Sequence, residues 1–179
     1  DTWFFHAVSN PENTVFSSIR QAILRRYGPS ESVEEFARKA QVAEYESTRA
    51  QFEAFAAGGW DTHKMTIYWM LNNHWPSFFG HIFDYYLRPG GTYFGAKKGL
   101  RPLAMVFDSY ATGDHTQAKI SVVNQTADAV QGLRARVRVY DLQGNLRYDR
   151  SADNLTVAAG GAAQALTLPR MTRDSSVFF

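Results

Sequence analysis

The sequence predicts an α/β segment followed by an all-β segment, with the change of character around residues 100–102. Three observations carry this. Apolar residues recur at helical spacing through most of the first sixty positions. The short stretch 66–71, TIYWML, is almost continuously apolar and β-prone, as expected of a strand buried on both faces. From Leu103 onward the apolar period becomes two. The expected division is therefore 1–100 and 101–179.

Each element has a local reason. Asn10-Pro11 reads as a cap with proline at the first helical position. Val15, Ile19, Ala22 and Ile23 then keep helical spacing up to Gly28-Pro29, which stops the helix. Ser32, with Glu35 three residues later, reads as a capping box opening a second helix. That helix is expected to run to about Ala57, before Gly58-Gly59. Val33, Phe36, Ala40, Ala43 and Ala50 form its apolar stripe, against Arg38, Lys39, Glu46, Arg49 and Glu53 elsewhere. The strand at 66–71, with a helix before it and looped or helical material after it, fits one βα unit of a barrel or wound sheet. One such unit does not make a domain.

Beyond it, Leu103, Met105 and Phe107 alternate with Ala104, Val106 and Asp108. Ile120 and Val122 follow the same rule, as do Leu133, Ala135, Val137 and Val139 against Arg134, Arg136 and Arg138. Gln143-Gly144-Asn145 turns the chain toward 146–150, and Gln164, Leu166 and Leu168 follow Gly160-Gly161. Short strands spaced by turns point to an immunoglobulin-like β-sandwich. The 79 positions from 101 to 179 fall short of the roughly 100 residues such a domain takes, so one or two strands are expected to be absent.

Composition narrows the function. With 19 Lys+Arg against 17 Asp+Glu, the chain carries no electrostatic footprint for nucleic acid. Mean hydropathy is −0.34, and no apolar stretch is long enough to span a membrane. The absence of cysteine removes disulfide and thiolate chemistry and leaves the compartment undecided. The first residues, DTWFFHAVSN, lack the charged and apolar regions of a signal peptide. Both ends read as cuts through structured elements, and the expectation is a piece of a longer polypeptide.

The run 66–98 is the candidate site. Trp69, Asn72, Asn73 and Trp75 sit at or just beyond the end of the expected strand, where catalytic and binding residues of α/β barrels lie. An indole can stack on the apolar face of a sugar ring, and carboxamides offer both donor and acceptor to hydroxyls. The competing reading makes the tryptophans core and the asparagines turn caps. Histidines at 6, 63, 74, 81 and 115 form no metal-binding spacing, and no metal or other cofactor is expected. His6, after an apolar run, reads as a packing residue before a catalytic base.

Other motifs weigh less. Gly90 to Lys97 lacks the adjacent Gly-Lys-Ser/Thr of a phosphate loop, and Pro89-Gly90-Gly91 reads as a turn. Arg134, Arg136 and Arg138 read as a solvated sheet face. Asn124-Gln125-Thr126 and Asn154-Leu155-Thr156 match the glycosylation acceptor pattern, and turns beside strands explain both equally well. Asp61 and Asp84 flank the aromatic run without forming the carboxylate pair that glycoside cleavage needs.

At Tyr68-Trp69-Met70-Leu71-Asn72-Asn73-His74-Trp75-Pro76-Ser77, then Asp84-Tyr85-Tyr86-Leu87-Arg88-Pro89-Gly90-Gly91 and Tyr93-Phe94-Gly95-Ala96-Lys97-Lys98, the chain resembles glycoside hydrolase family 2, in its exo-β-D-glucosaminidase and β-mannosidase branch. Tyr27-Gly28-Pro29-Ser30 upstream and Val123-Asn124 downstream fit the same branch. The resemblance implies a much longer parent, in which 1–100 is the last part of a (β/α)8 TIM barrel and 101–179 a partial immunoglobulin-like β-sandwich. It implies a retaining exo-hydrolase removing terminal β-linked glucosamine from chitosan oligosaccharides, or mannose from β-mannosides. The two catalytic Glu residues would precede Asp1, so this chain holds no catalytic residue and is expected to be inactive alone. Trp69, Asn72, Asn73 and Trp75 would be substrate-binding. The partners would be the oligosaccharide and the upstream barrel, with no nucleic acid or membrane, and the parent would be secreted or periplasmic. Related barrels also imply a non-proline cis peptide at Trp69–Met70. A non-catalytic sandwich module binding a polysaccharide or a partner protein is the alternative.

Overall fold

In the computed structural model, α1 spans Val15–Tyr27 and α2 spans Val33–Ala57. The structure describes residues 6, 15–59, 64–78, 80–108, 118–141, 143–169 and 177–178. The expected Asn10-Pro11 cap lies outside them. Gly28 ends α1 at φ 76°, its N–H donating to the Leu24 carbonyl at 3.0 Å. Arg26 pairs with Glu46 at 2.7 Å, and the Lys39 ammonium holds the Pro29 carbonyl at 2.6 Å, so the turn is tied to α2 from both sides.

The cap of α2 is close to the expected box. Ser32 Oγ accepts the Glu35 amide at 3.1 Å. The Glu35 carboxylate reaches back one residue further than expected, to the Glu31 amide at 2.8 Å. Lys39, one turn on, pairs with the same carboxylate at 2.7 Å.

A third helix, α3 at Gly91–Gly99, was not foreseen. Its glycines argue against a helix locally, each by about 1 kcal/mol. Packing overrides that preference. A Cβ on Gly91 would lie 2.0 Å from the Gln41 carbonyl oxygen, and one on Gly95 would lie 2.4 Å from that of Tyr45. Only glycine lets α3 settle backbone to backbone on α2.

The expected strand at 66–71 is corrected. The segment bends at Trp69 and Leu71 and joins no ladder, and its alternate residues Ile67, Trp69 and Leu71 are 63–79 % exposed. A strand buried on both faces draws its burial and hydrogen bonds from flanking strands, and no strand flanks this segment among the described residues. What holds it is local. The Ile82 and Phe83 amides donate to the Met70 and Leu71 carbonyls at 3.4 and 2.9 Å, and Asn72 and Phe83 form an isolated parallel bridge. Tyr68, on the inward side, stacks against Phe52 of α2 with ring centroids 6.3 Å apart. The Trp69–Met70 peptide is cis, as the resemblance implied.

The all-β part follows the predicted alternation. Its strands are β1 (Leu103–Asp108), β2 (Ala118–Asn124), β3 (Val130–Asp141), β4 (Leu146–Val157), β5 (Ala162–Leu168) and β6 (Val177–Phe178). They form two antiparallel sheets, ordered β1-β2-β5 and β4-β3-β6. The sheets pack face to face. Ile120 and Leu168 of one meet Val137 and Val139 of the other, and Val122 meets Ala135 and Val157. Val139 and Val157 are 0 and 1 % exposed. Ala56, near the end of α2, packs with Val106 and Val123. By contacts the chain forms two compact units, Asp1–Phe52 with Thr66–Leu100, and Glu53–Met65 with Arg101–Phe179.

Asn124 is the buried polar anchor of the second unit, with no exposed surface. Its amide nitrogen donates to the carbonyls of Asp128, Val157 and Ala158 at 2.7, 3.3 and 3.1 Å. Its oxygen accepts the Thr126 amide and hydroxyl at 3.0 and 2.6 Å. Asn124 is thus a turn residue, and its amide is not available to a sugar. Asn154, the asparagine of the other acceptor pattern, is exposed at φ 56°. The arginines of β3 face solvent as expected, Arg136 gripping Asp149 through two nitrogens and Arg134 pairing with Asp153 at 3.1 Å.

Candidate functional site

The structure separates the four expected site residues into two pairs. Trp69 is 79 % exposed, and Asn72, three residues on, is exposed as well. Asn73 is 5 % exposed, with its Oδ1 accepting the Ser77 hydroxyl at 2.8 Å. Trp75 is half-buried and stacks on His6, centroids 5.7 Å apart with planes at 20°. His6 also hydrogen-bonds the Pro76 carbonyl through Nδ1, and its own carbonyl accepts the Phe78 amide at 3.1 Å. Trp69 and Asn72 therefore present an indole and a carboxamide to solvent. Asn73 and Trp75 build the turn behind them.

Residues 80–83 form the back of this face. Tyr68 donates its hydroxyl proton to the Gly80 carbonyl at 3.0 Å. The Met70 amide donates to His81 Nδ1 at 3.3 Å, and His81 is 7 % exposed. Burial pushes the His81 pKa down, favouring the neutral ring this bond needs. Glu44 of α2 lies against Gly80, where a Cβ would come within 2.4 Å of its carboxylate oxygen. Burial pushes the Glu44 carboxyl up, and the Gln41 side chain opposes this by donating to it at 3.2 Å.

Asp84 is a turn residue. Its Oδ1 accepts the Arg88 amide at 2.8 Å, and its amide donates to the Arg88 carbonyl at 3.0 Å. Asp61 and His63 lie outside the described residues. Among the described residues no group of His, Asp or Glu side chains is placed to hold a metal ion, and no helix is long and apolar enough to cross a membrane. A cleft of about 560 Å3 between α1 and the start of α2, lined by Ile23, Leu24, Pro29 and Phe36 among others, shares no residue with the aromatic face.

Of the expected residues, Trp69 and Asn72 are exposed, and the buried His81 was not among the candidates. No local pattern marks His81; its role depends on a contact eleven residues away.

No protein-family model matches the chain. Curated relatives do. The chain is 42 % identical to an exo-β-D-glucosaminidase of Streptomyces avermitilis over 88 % of its own length and 18 % of the relative's. It is 36 % identical to an exo-β-D-glucosaminidase of Hypocrea jecorina over 78 % of its length and 15 % of that protein's. Among solved structures, the exo-chitosanase CsxA of Amycolatopsis orientalis superposes with a TM-score of 0.81 at 34 % identity, over 96 % of this chain and 20 % of CsxA. CsxA has also been crystallised with PNP-β-D-glucosamine. The β-D-mannosidase of Dictyoglomus thermophilum shares the fold, with a TM-score of 0.80 at 17 % identity. The chain thus spans about a fifth or less of the enzymes it matches. In sequence and fold the chain matches a segment of glycoside hydrolase family 2 enzymes of the exo-β-D-glucosaminidase and β-mannosidase branch.

Proposed function

We propose that this chain is the carbohydrate-binding wall and following sandwich of a retaining, exo-acting glycoside hydrolase that removes terminal β-linked glucosamine from chitosan oligosaccharides. In this reading, 1–100 is the last part of a (β/α)8 TIM barrel, 66–73 takes the place of its last strand, and 101–179 is an immunoglobulin-like domain. The two catalytic carboxylates lie elsewhere in the parent polypeptide, and this chain alone is inactive. The parent works outside the cytoplasm, where a chitosan polymer is met. Glucosamine is preferred over mannose because the relatives with substantial identity are glucosaminidases.

The observation that carries the reading is the paired exposure of Trp69 and Asn72. An indole that is 79 % exposed, at the position where a barrel opens its site, offers a flat apolar face to the C–H side of a pyranose. The Asn72 carboxamide, exposed three residues further along, can donate to and accept from ring hydroxyls. Asn73 and Trp75 act by shaping the turn that supports both.

The test uses the full-length parent. Nitrophenyl β-D-glucosaminide should be hydrolysed and nitrophenyl β-D-mannoside much less so, and Trp69→Ala should raise KM for the glucosaminide about tenfold or more. Preference for the mannoside would replace the substrate. An unchanged KM in Trp69→Ala would remove Trp69 from the site.

A further inference from the structure

We infer that His81 is a positioning residue for Trp69, acting through the backbone of Met70. The inference rests on the sugar-binding reading of Trp69. Both polar groups of the Met70 backbone are held from one short segment. Its N–H donates to His81 Nδ1 at 3.3 Å, and its carbonyl accepts the Ile82 amide at 3.4 Å. The side chain of His81 takes the peptide on one side of Met70 and the main chain of Ile82 the peptide on the other, so both peptide units flanking Met70 are held.

This matters because, within this chain, Trp69 has little else to fix it. Its side chain is 79 % exposed there, so packing against the rest of this chain does not choose its direction. Where packing does not decide it, the direction of a side chain follows the orientation of the two peptides that flank its Cα. On the N-terminal side, Tyr68 is anchored by its stack on Phe52 and its hydroxyl bond to the Gly80 carbonyl. On the C-terminal side, the clasp on Met70 supplies the matching anchor, extended by the bond from the Phe83 amide to the Leu71 carbonyl. Trp69 thus stands between two clamped neighbours.

The chemistry of the clasp is specific. Nδ1 accepts the Met70 amide, so the ring proton resides on Nε2. His81 is 7 % exposed and its bond to the Met70 amide is part-buried, so losing the acceptor leaves that amide without its protein partner. Alanine at 81 removes the acceptor. Asparagine can place Oδ1 near the position of Nδ1 and restore an acceptor without an imidazole, so the pair of variants separates the hydrogen bond from the bulk of the ring.

The experiment compares wild type, His81→Ala, His81→Asn and Trp69→Ala in the full-length parent enzyme, with nitrophenyl β-D-glucosaminide as probe and hydrogen exchange read on the peptide covering 66–72. Loss of the clasp should speed exchange of the Met70 amide in His81→Ala and leave it slow in His81→Asn. KM should rise about fivefold or more in His81→Ala with kcat changed far less, and return toward wild type in His81→Asn. Unchanged exchange in His81→Ala would overturn the inference, and so would equal KM increases in both His81 variants. If Trp69→Ala raises KM and His81→Ala does not, the positioning role fails while the site stands. If Trp69→Ala itself leaves KM unchanged, the site reading fails, and the positioning role with it.

Discussion

Asn124→Ala should destabilise the all-β unit by about 2–4 kcal/mol, on the scale of about 0.5–1.5 kcal/mol net per hydrogen bond. The two amide protons of Asn124 are shared among three carbonyls, those of Asp128, Val157 and Ala158, and its oxygen takes both the amide and the hydroxyl of Thr126. Alanine removes every one of these bonds and leaves the Val157 carbonyl, at a buried residue, without this donor. Asn124→Asp sharpens the test, since it keeps the size of the side chain. It preserves the acceptor for Thr126 but sets a carboxylate oxygen against three carbonyl oxygens, so at neutral pH it should be less stable than Asn124→Ala. Burial and those carbonyls raise the folded pKa of the new aspartate above its unfolded value. The protonated acid, which can donate, fits the site, so the variant should regain stability as pH falls below that raised pKa. Urea unfolding at neutral and mildly acidic pH, with the m-value checked for constancy, reads all three effects. An Asn124→Ala midpoint equal to wild type would refute this account of the site, as would Asn124→Asp matching wild type at neutral pH.

Gly95→Ala should destabilise by about 1–2 kcal/mol, the cost of forcing α2 and α3 apart less the better helix propensity of alanine; its Cβ would sit 2.4 Å from the Tyr45 carbonyl oxygen. Thermal unfolding checks it, and a raised midpoint would contradict the close contact. Val139→Ala, at a residue with 0 % exposure between the sheets, should cost about 2 kcal/mol by lost burial and cavity formation, read by urea unfolding. Asp141 accepts the side chain and amide of Asn145 and the amide of Gln143, which holds its carboxyl below the usual aspartate range. A depressed folded pKa contributes stability above the unfolded value and loses it as pH falls through the folded one. Asp141→Asn should therefore be less stable than wild type at neutral pH, with the gap closing in strongly acidic solution; an undiminished gap there would refute the assignment.

The elements legible in the sequence are those whose signals are local. The alternation in 133–139 and the turn at Gln143-Gly144-Asn145 mark β3 and β4 because each strand buries one face. Ser32 and the glycines after Ala57 bracket α2 because caps and stops act over one turn. The elements misread depend on distant neighbours. Propensity argues against α3, and only its contact with α2 shows why glycines are needed there. At 66–71 the apolar run predicts burial by flanking strands, and none flanks it among the described residues. The same limit divides the site. Trp69 and Asn72 could be picked from residue type and position, but Trp75 is turned inward by His6, sixty-nine positions away, and Met70 is held by a histidine no motif announces.

The backbone contact between α2 and α3 has a geometric consequence. Most helix pairs are spaced by side chains, so their separation drifts as those side chains change size. Here the spacing at Gly91 and Gly95 is set by main-chain atoms, whose radii no substitution alters. Wherever relatives keep both glycines, the distance between these two helices should vary less than any other interhelical distance in the unit, making it an internal ruler against which shifts of the Trp69 segment can be measured.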